Sequence, residues 1–237
     1  MLVPRPSWEP PAATLRKSKR RATLRSHDTG GGVLRSRETI AVVGVGLLLS
    51  LVAADAQTCD APHYRWSEKN DESLASLTPQ RVSITTILTT WDTLPFTRGV
   101  TYRCAGRAGH ERRVYRVRAW VRTVRKAEED GDWHVELTAR ENTPIDSCIV
   151  AEIPPTHPDG TFGRARADLD TLLASSVVRS DGTVDPPVQL RFVGAAFFDG
   201  EHRGSDHTRT DGHHGRCNSS ARALWELHPV YWVKPAE

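Results

Sequence analysis

From Tyr115 to Arg122 the chain alternates without a break: Tyr115, Val117, Ala119 and Val121 fall on one side, and Arg116, Arg118, Trp120 and Arg122 on the other. A period of two is that of a strand with one buried face. Glu128-Glu129-Asp130-Gly131 reads as a turn, and Trp133, Val135 and Leu137 then alternate with His134, Glu136 and Thr138 as a second strand. The two form a hairpin.

Cys148–Ile153 reads as a third short strand, stopped by Pro154-Pro155. Phe162, Ala165, Leu169, Leu172 and Leu173 recur at the spacing of a helix with one apolar face. Asp181-Gly182 and Pro186-Pro187 break the chain, after which Val188–Phe198 and Ala223–Val233 supply two more strands around a long polar loop. This order predicts a mainly β fold: a five-stranded barrel of the oligonucleotide/oligosaccharide-binding (OB) type, with one helix between strands three and four. A β-sandwich with a helical insertion is the alternative. The barrel takes residues 111–237. Residues 57–110 form an N-terminal extension, in which the β-branched run Val82–Thr90 suggests an added strand or a tether.

Residues 1–56 read as a leader. Arg35 and Arg37 precede an apolar run of 15 residues, 40–54, and Ala54-Asp55-Ala56 follows it. A charged lead, a short apolar core and a small-x-small exit describe a secretory signal cut after Ala56, and the run is short for a bilayer crossing, which needs ~20 residues. This places the protein in the secreted or periplasmic space, with no membrane span in the mature form. An uncleaved N-terminal anchor is the alternative, and a start at Val33 would give the leader ordinary length. Nine of the 32 basic residues and four of the 29 acidic ones lie in 1–56, so the remainder holds 23 basic against 25 acidic. The basic balance of the whole chain is therefore no argument for a nucleic-acid partner.

Cys59, Cys104, Cys148 and Cys217 all follow the leader. An even number in an exported chain predicts two disulfides of open pairing, and the wide spacings exclude a Cys-x-x-Cys metal knuckle or redox pair.

Three segments carry a resemblance: Val114-Tyr115-Arg116-Val117 followed by Glu129-Asp130-Gly131-Asp132-Trp133-His134-Val135; Ile149-Val150-Ala151-Glu152-Ile153-Pro154; and Val193–Asp199 with His202, closing on Trp225-Glu226-Leu227-His228-Pro229-Val230. Together they resemble a family of exported bacterial OB-like proteins that end in a Trp/Ile-Glu-Leu-His-Pro-Val strand and have no established activity. The resemblance implies export and a barrel. The chain departs from the commoner family form between Asp199 and Leu224, where its loop is longer and carries His207, His213, His214 and Cys217.

Three constellations could carry function. Arg116, Arg118, Trp120 and Arg122 share one strand face, with His134 and Glu136 brought alongside by the hairpin. Guanidinium groups with an interleaved Trp suit a polyanion, and cross-strand Arg–Glu pairing on a solvated face is the structural alternative. Asp199, His202 and His207 in the polar loop could ligate zinc or calcium, though no metallohydrolase spacing is present. Glu226 and His228 share one face of the last strand, opposite Trp225 and Leu227, with no nucleophile elbow near them. The expectation is an exported, non-catalytic OB-barrel binding protein, without a required cofactor, for an anionic polymer, an envelope glycan or a protein partner. A metal-dependent extracellular hydrolase or nuclease is the alternative.

Overall fold

The computed structural model describes residues 63–97, 102–126, 128–155, 160–203 and 214–236. The leader, Cys59 and His207 lie outside the described residues. In chain order the elements are α1 (Trp66–Lys69), β1 (Gln80–Arg81), α2 (Ile84–Thr90), β2 (Val114–Arg125), β3 (Trp133–Thr138), β4 (Cys148–Ile153), α3 (Thr161–Leu172), β5 (Val177–Val178), β6 (Thr183–Phe198) and β7 (Trp225–Pro235).

Five of the strands close a barrel. β2 pairs antiparallel with β3 and β3 with β4; β4 runs parallel to β7, β7 antiparallel to β6, and β6 returns to β2. The result is the mainly β, OB-type barrel that the element order implies, and α3 falls between its third and fourth strands. The alternation in β2 is the reason: Val117, Ala119 and Val121 are fully buried beside Val135, Leu137, Ile149, Ala151 and Phe192, while Arg118 stays in water. On α3 the apolar stripe Phe162, Ala165 and Leu169 is buried, and Phe162 stacks on Tyr231 of β7 at 6.4 Å between ring centroids.

Two local expectations are overturned. The run Val82–Thr90 is not a strand: the pairing with β2 at Gln80 and Arg81 ends with Val82 N donating to Arg116 O at 3.2 Å, and the chain then turns into α2. Ser83 caps that helix by accepting from Thr86 N at 3.0 Å, and Ile84 and Ile87, one turn apart, are both buried. A cap and an i, i+3 apolar pair outweigh the β preference of Ile and Thr. Nor do Pro186 and Pro187 break the chain ahead of a strand starting at Val188, because β6 begins at Thr183 and runs through them. The β2–β6 ladder steps from Val121↔Val188 to Thr123↔Thr183, so the prolines occupy an irregularity where no ladder N–H is needed.

The extension is fastened to the barrel by a buried ion pair. Arg65 meets Glu111 in bidentate fashion, Nη1 to Oε1 at 2.7 Å and Nη2 to Oε2 at 2.9 Å, and both side chains are fully buried. Glu111 also accepts from Ala108 N at 2.8 Å and Phe198 N at 2.9 Å. The guanidinium lies 4.4 Å from the ring of Phe96 and 4.5 Å from that of Phe197. Two aromatic faces replace its hydration. Cys148 and Cys217 form a disulfide, Cys104 is also disulfide-bonded, and no described cysteine is free. Among the described residues no helix is long and apolar enough to cross a membrane.

Removing the Glu111 carboxylate strands a buried guanidinium and two backbone N–H groups, so Glu111→Ala should destabilise the protein by about 3–5 kcal/mol. Urea unfolding followed by tryptophan fluorescence measures this.

Candidate metal centre

Strand register assembles the centre. Asp132, His134 and Glu136 occupy alternate positions at and before β3, Cys148, Val150 and Glu152 alternate positions on β4, and Glu226 and His228 alternate positions on β7. His134 pairs with Glu152, Glu136 with Val150, and Val150 with Glu226. Their intervening neighbours, Val135, Leu137, Ile149, Ala151 and Leu227, fill the barrel core. The polar set therefore lies on the outer face of the β3–β4–β7 sheet.

That face is covered. The segment entering β7 folds back over it, and the disulfide from Cys217 to Cys148 holds it there. His214 and Cys217 exchange backbone hydrogen bonds of 3.1 and 3.0 Å across a tight turn. Gly215, at φ +60°, lies at the tip; a Cβ there would sit 2.7 Å from Glu136 Oε1 and 2.8 Å from His134 Nε2. Only glycine allows this approach. Asp132, His134, Glu136, Glu152, His214, Glu226 and His228 are all buried as a result.

The hairpin thus does not present His134 and Glu136 to solvent beside the β2 arginines. The ladder is irregular at Arg122, stepping from Val121↔Leu137 to Thr123↔Glu136. Arg122 Nη1 instead donates to the carbonyls of Glu141 and Thr143 at 2.5 and 3.2 Å. Glu136 receives Arg216, from the backbone N and from Nε, each at 2.8 Å. The six residues expected to form one ligand face divide between two faces.

Within the buried set, Glu152 Oε1 lies 3.2 Å from His134 Nδ1 and 3.2 Å from His214 Nε2. These separations match the edge of a tetrahedron with metal–ligand bonds of ~2.0–2.1 Å, which is about 3.3 Å. The three ligand atoms lie within 4.8 Å of one another. Behind each imidazole stands a carboxylate: Glu226 Oε2 is 2.9 Å from His214 Nδ1, and Glu136 Oε1 is 3.8 Å from His134 Nε2. Behind the carboxylate ligand stands an imidazole, with His228 Nδ1 2.9 Å from Glu152 Oε2 and 3.0 Å from Glu226 Oε1. Asp132 Oδ2 closes the chain 3.2 Å from His228 Nε2. Several of these contacts lack hydrogen-bond geometry: His134 Nε2, His214 Nδ1, His228 Nε2, Glu226 Oε2 and both oxygens of Asp132 are buried with no hydrogen-bond partner among the described residues.

Charge explains the titration. Burial disfavours the imidazolium of His214, but Glu152 and Glu226 outweigh it and hold the group well above the usual imidazole value. Burial likewise opposes protonation of His228, and Asp132, Glu152 and Glu226 reverse the balance. His134 is raised against burial by the neighbouring carboxylates of Glu136 and Glu152. Burial would raise Glu152, yet His214, His134 and His228 hold it well below the carboxylate range. Glu136 has Arg216 as its cation. Among the described residues Asp132, Glu152 and Glu226 form no ion pair with a lysine or arginine, although Lys69 acts at longer range on Glu152 and Glu226 and Arg166 on Asp132; protons on the imidazoles or a bound cation would complete the balance.

Of the loop residues expected to bind metal, Asp199 and His202 approach His214, within 4.8 Å by their ligand atoms. His202 is stacked on His214, 4.1 Å apart and 19° from parallel, so the in-plane lone pairs of the two rings do not converge. Asp199 is engaged by Lys69 Nζ at 3.1 Å. Burial would raise the Asp199 carboxyl, but Lys69 and His202 hold it well below its ordinary value. Asp132, Glu152 and His214 are not singled out by helical ligand spacing, because the set is built from i, i+2 steps on neighbouring strands and from one loop turn. A cavity of about 370 Å³ opens on the centre, lined by His134, Glu152, His214, His202 and Lys69 among others. No protein-family model, curated protein or solved structure matches this chain.

Lys69→Met should leave Asp199 buried without its cation and lower stability by about 3–5 kcal/mol at neutral pH. The Asp199 carboxyl is depressed in the fold, so its contribution is present above its unfolded value of ~3.9 and is lost as pH falls through the folded one. The gap between wild type and Lys69→Met should therefore close in acid. Urea titrations between neutral pH and pH ~3 measure it.

Proposed function

We propose that the protein is an exported metal-binding OB barrel that holds a zinc-type divalent cation through His134, Glu152 and His214. The observation that carries this reading is the layered donor set: a carboxylate oxygen 3.2 Å from each of two imidazoles, each of the three with a partner of opposite character behind it. Outer partners of this kind fix the tautomer and ring orientation of metal-bound histidines. Two nitrogens and one oxygen are a donor set that suits zinc. Export is supported by the leader-like sequence of residues 1–56 and by the Cys148–Cys217 disulfide.

Metal analysis and calorimetric zinc titration of protein beginning at Gln57 test the proposal. About one equivalent of zinc is expected, with loss of binding in His134→Ala/His214→Ala. Glu226→Gln should weaken affinity by ~10–100-fold. Failure of wild type to take up zinc, manganese or iron in stoichiometric amount would leave the cluster as a proton-balanced structural network.

A second reading rests on the cavity that reaches the centre. Three protein ligands leave a fourth position, and a bound water there would have its pKa lowered to ~7. Metal-dependent hydrolysis follows if that position faces substrate. Zinc-loaded protein should then turn over bis(4-nitrophenyl) phosphate or 4-nitrophenyl acetate, and His134→Ala should not; inactivity on both with zinc bound favours a binding role alone.

A further inference from the structure

The arginines of β2 lead to a second site. Arg116 and Arg118 do not share a pocket with Trp120. They line one of about 340 Å³ with Arg81, Ser83 and Arg191. Register explains the gathering: Arg81 is directly opposite Arg116, Arg118 opposite Arg191, and Arg191 opposite Lys234. Like charges directly opposite one another on a sheet are destabilising. Here two arginine pairs are stacked side by side. Lys234 has Asp168 at 2.9 Å, and Arg118 reaches only the neutral Gln189 Oε1 at 2.7 Å. Among the described residues no carboxylate pairs with Arg81, Arg116, Arg118 or Arg191. Four unneutralised guanidiniums on one patch are a cost to the folded state that an anion would remove.

One step along β2 the character changes. Trp120 lines a larger cavity of about 830 Å³ whose other walls include Thr85, Thr89, Ser147, Ser219 and Glu141. The segment 81–89 and strand β2 border both cavities, so they follow one another along the same surface. An aromatic ring with surrounding hydroxyls suits the apolar face and hydroxyl groups of a sugar. Nucleic acid fits less well. A phosphate backbone requires cations along its length, whereas here four arginines gather at one end, the other end sets a single arginine, Arg140, beside Glu141, and Arg122 is spent on backbone carbonyls. Single-strand binding also uses successive aromatic platforms, and Trp120 stands alone in these two cavities.

We propose that this surface binds an acidic glycan, with its sulfate or carboxylate groups on Arg81, Arg116, Arg118 and Arg191 and a sugar ring against Trp120. The site shares no residue with the metal centre.

The test is calorimetric titration of the protein with a heparin hexasaccharide and with a polygalacturonate oligomer, the two distinguishing sulfate from carboxylate recognition, and with oligo(dT) of matched length. Saturable binding of at least one glycan is expected at ~50 mM salt, weakening as salt is raised. Arg118→Gln/Arg191→Gln should reduce affinity tenfold or more and flatten the salt dependence. Trp120→Ala should reduce it about 5- to 100-fold with the salt dependence kept, the range that loss of one stacked ring gives. The arginine variants should unfold at the same temperature as wild type or higher, because each relieves a like-charge pair. Absence of binding by both glycans, binding indifferent to these substitutions, or oligo(dT) binding as tightly as the glycans would overturn the proposal.

Discussion

A carboxylate can leave water only if a counter-charge and hydrogen-bond donors replace what water supplied. On the outer face of β3–β4–β7 this protein buries Asp132, Glu136, Glu152 and Glu226 together, with Asp199 close by. The elements packed over that face bring what those groups require. The turn at His214–Cys217 delivers an imidazole and the Arg216 guanidinium, and α1 delivers Lys69. The Cys148–Cys217 bridge joins the covering segment to the strand it covers. Gly215 lets the backbone come close enough for the imidazole to reach Glu152. The cover and the charges beneath it are one design.

The barrel itself is conventional in its physics. Its interior is filled largely by Val, Ala, Ile, Leu and Phe side chains. What is distinctive is placed outside, on sheet faces that a small barrel would ordinarily leave to solvent. One face is roofed and holds the histidine–carboxylate cluster. The other, where β1, β2 and β6 meet, is open and cationic, and it grades into a hydroxyl-lined cavity around Trp120. The N-terminal extension serves both faces: Arg65 and Lys69 lock it beside the cluster, and Arg81 and α2 border the open surface.

Metal binding and proton binding are competing solutions to the same electrostatic problem at the cluster. Among the described residues Asp132, Glu152 and Glu226 have no direct guanidinium or ammonium pair, and Lys69 and Arg166 act on them only at longer range. The raised His134, His214 and His228 groups show how strongly the site calls for positive charge. A divalent cation meets that demand while releasing protons, which links its affinity to pH. The layered arrangement, with carboxylates behind imidazoles and an imidazole behind a carboxylate, holds these side chains in fixed directions.

The sequence by itself determined the barrel. Alternation in Tyr115–Arg122 and Trp133–Thr138, the helical stripe of Phe162, Ala165 and Leu169, and the order of the elements are local properties, readable because strand and helix periods are set by backbone geometry. It also determined that Glu226 and His228 share a face, since i, i+2 residues on any strand do. The tertiary structure alone decided which faces meet and which are covered. Alternation marks His134 and Glu136 as outward and so suggests exposure, but burial there depends on a loop returning from some 80 residues later, and no period records that. Likewise the break at Arg122 separates a run of evenly spaced arginines into a spent one and a free group, through ladder hydrogen bonds that alternation does not encode. His214 meets Glu152 only because a disulfide and a positive-φ glycine bring the chain back. Contacts of that range are decided by closure of the fold rather than by the neighbours of either residue.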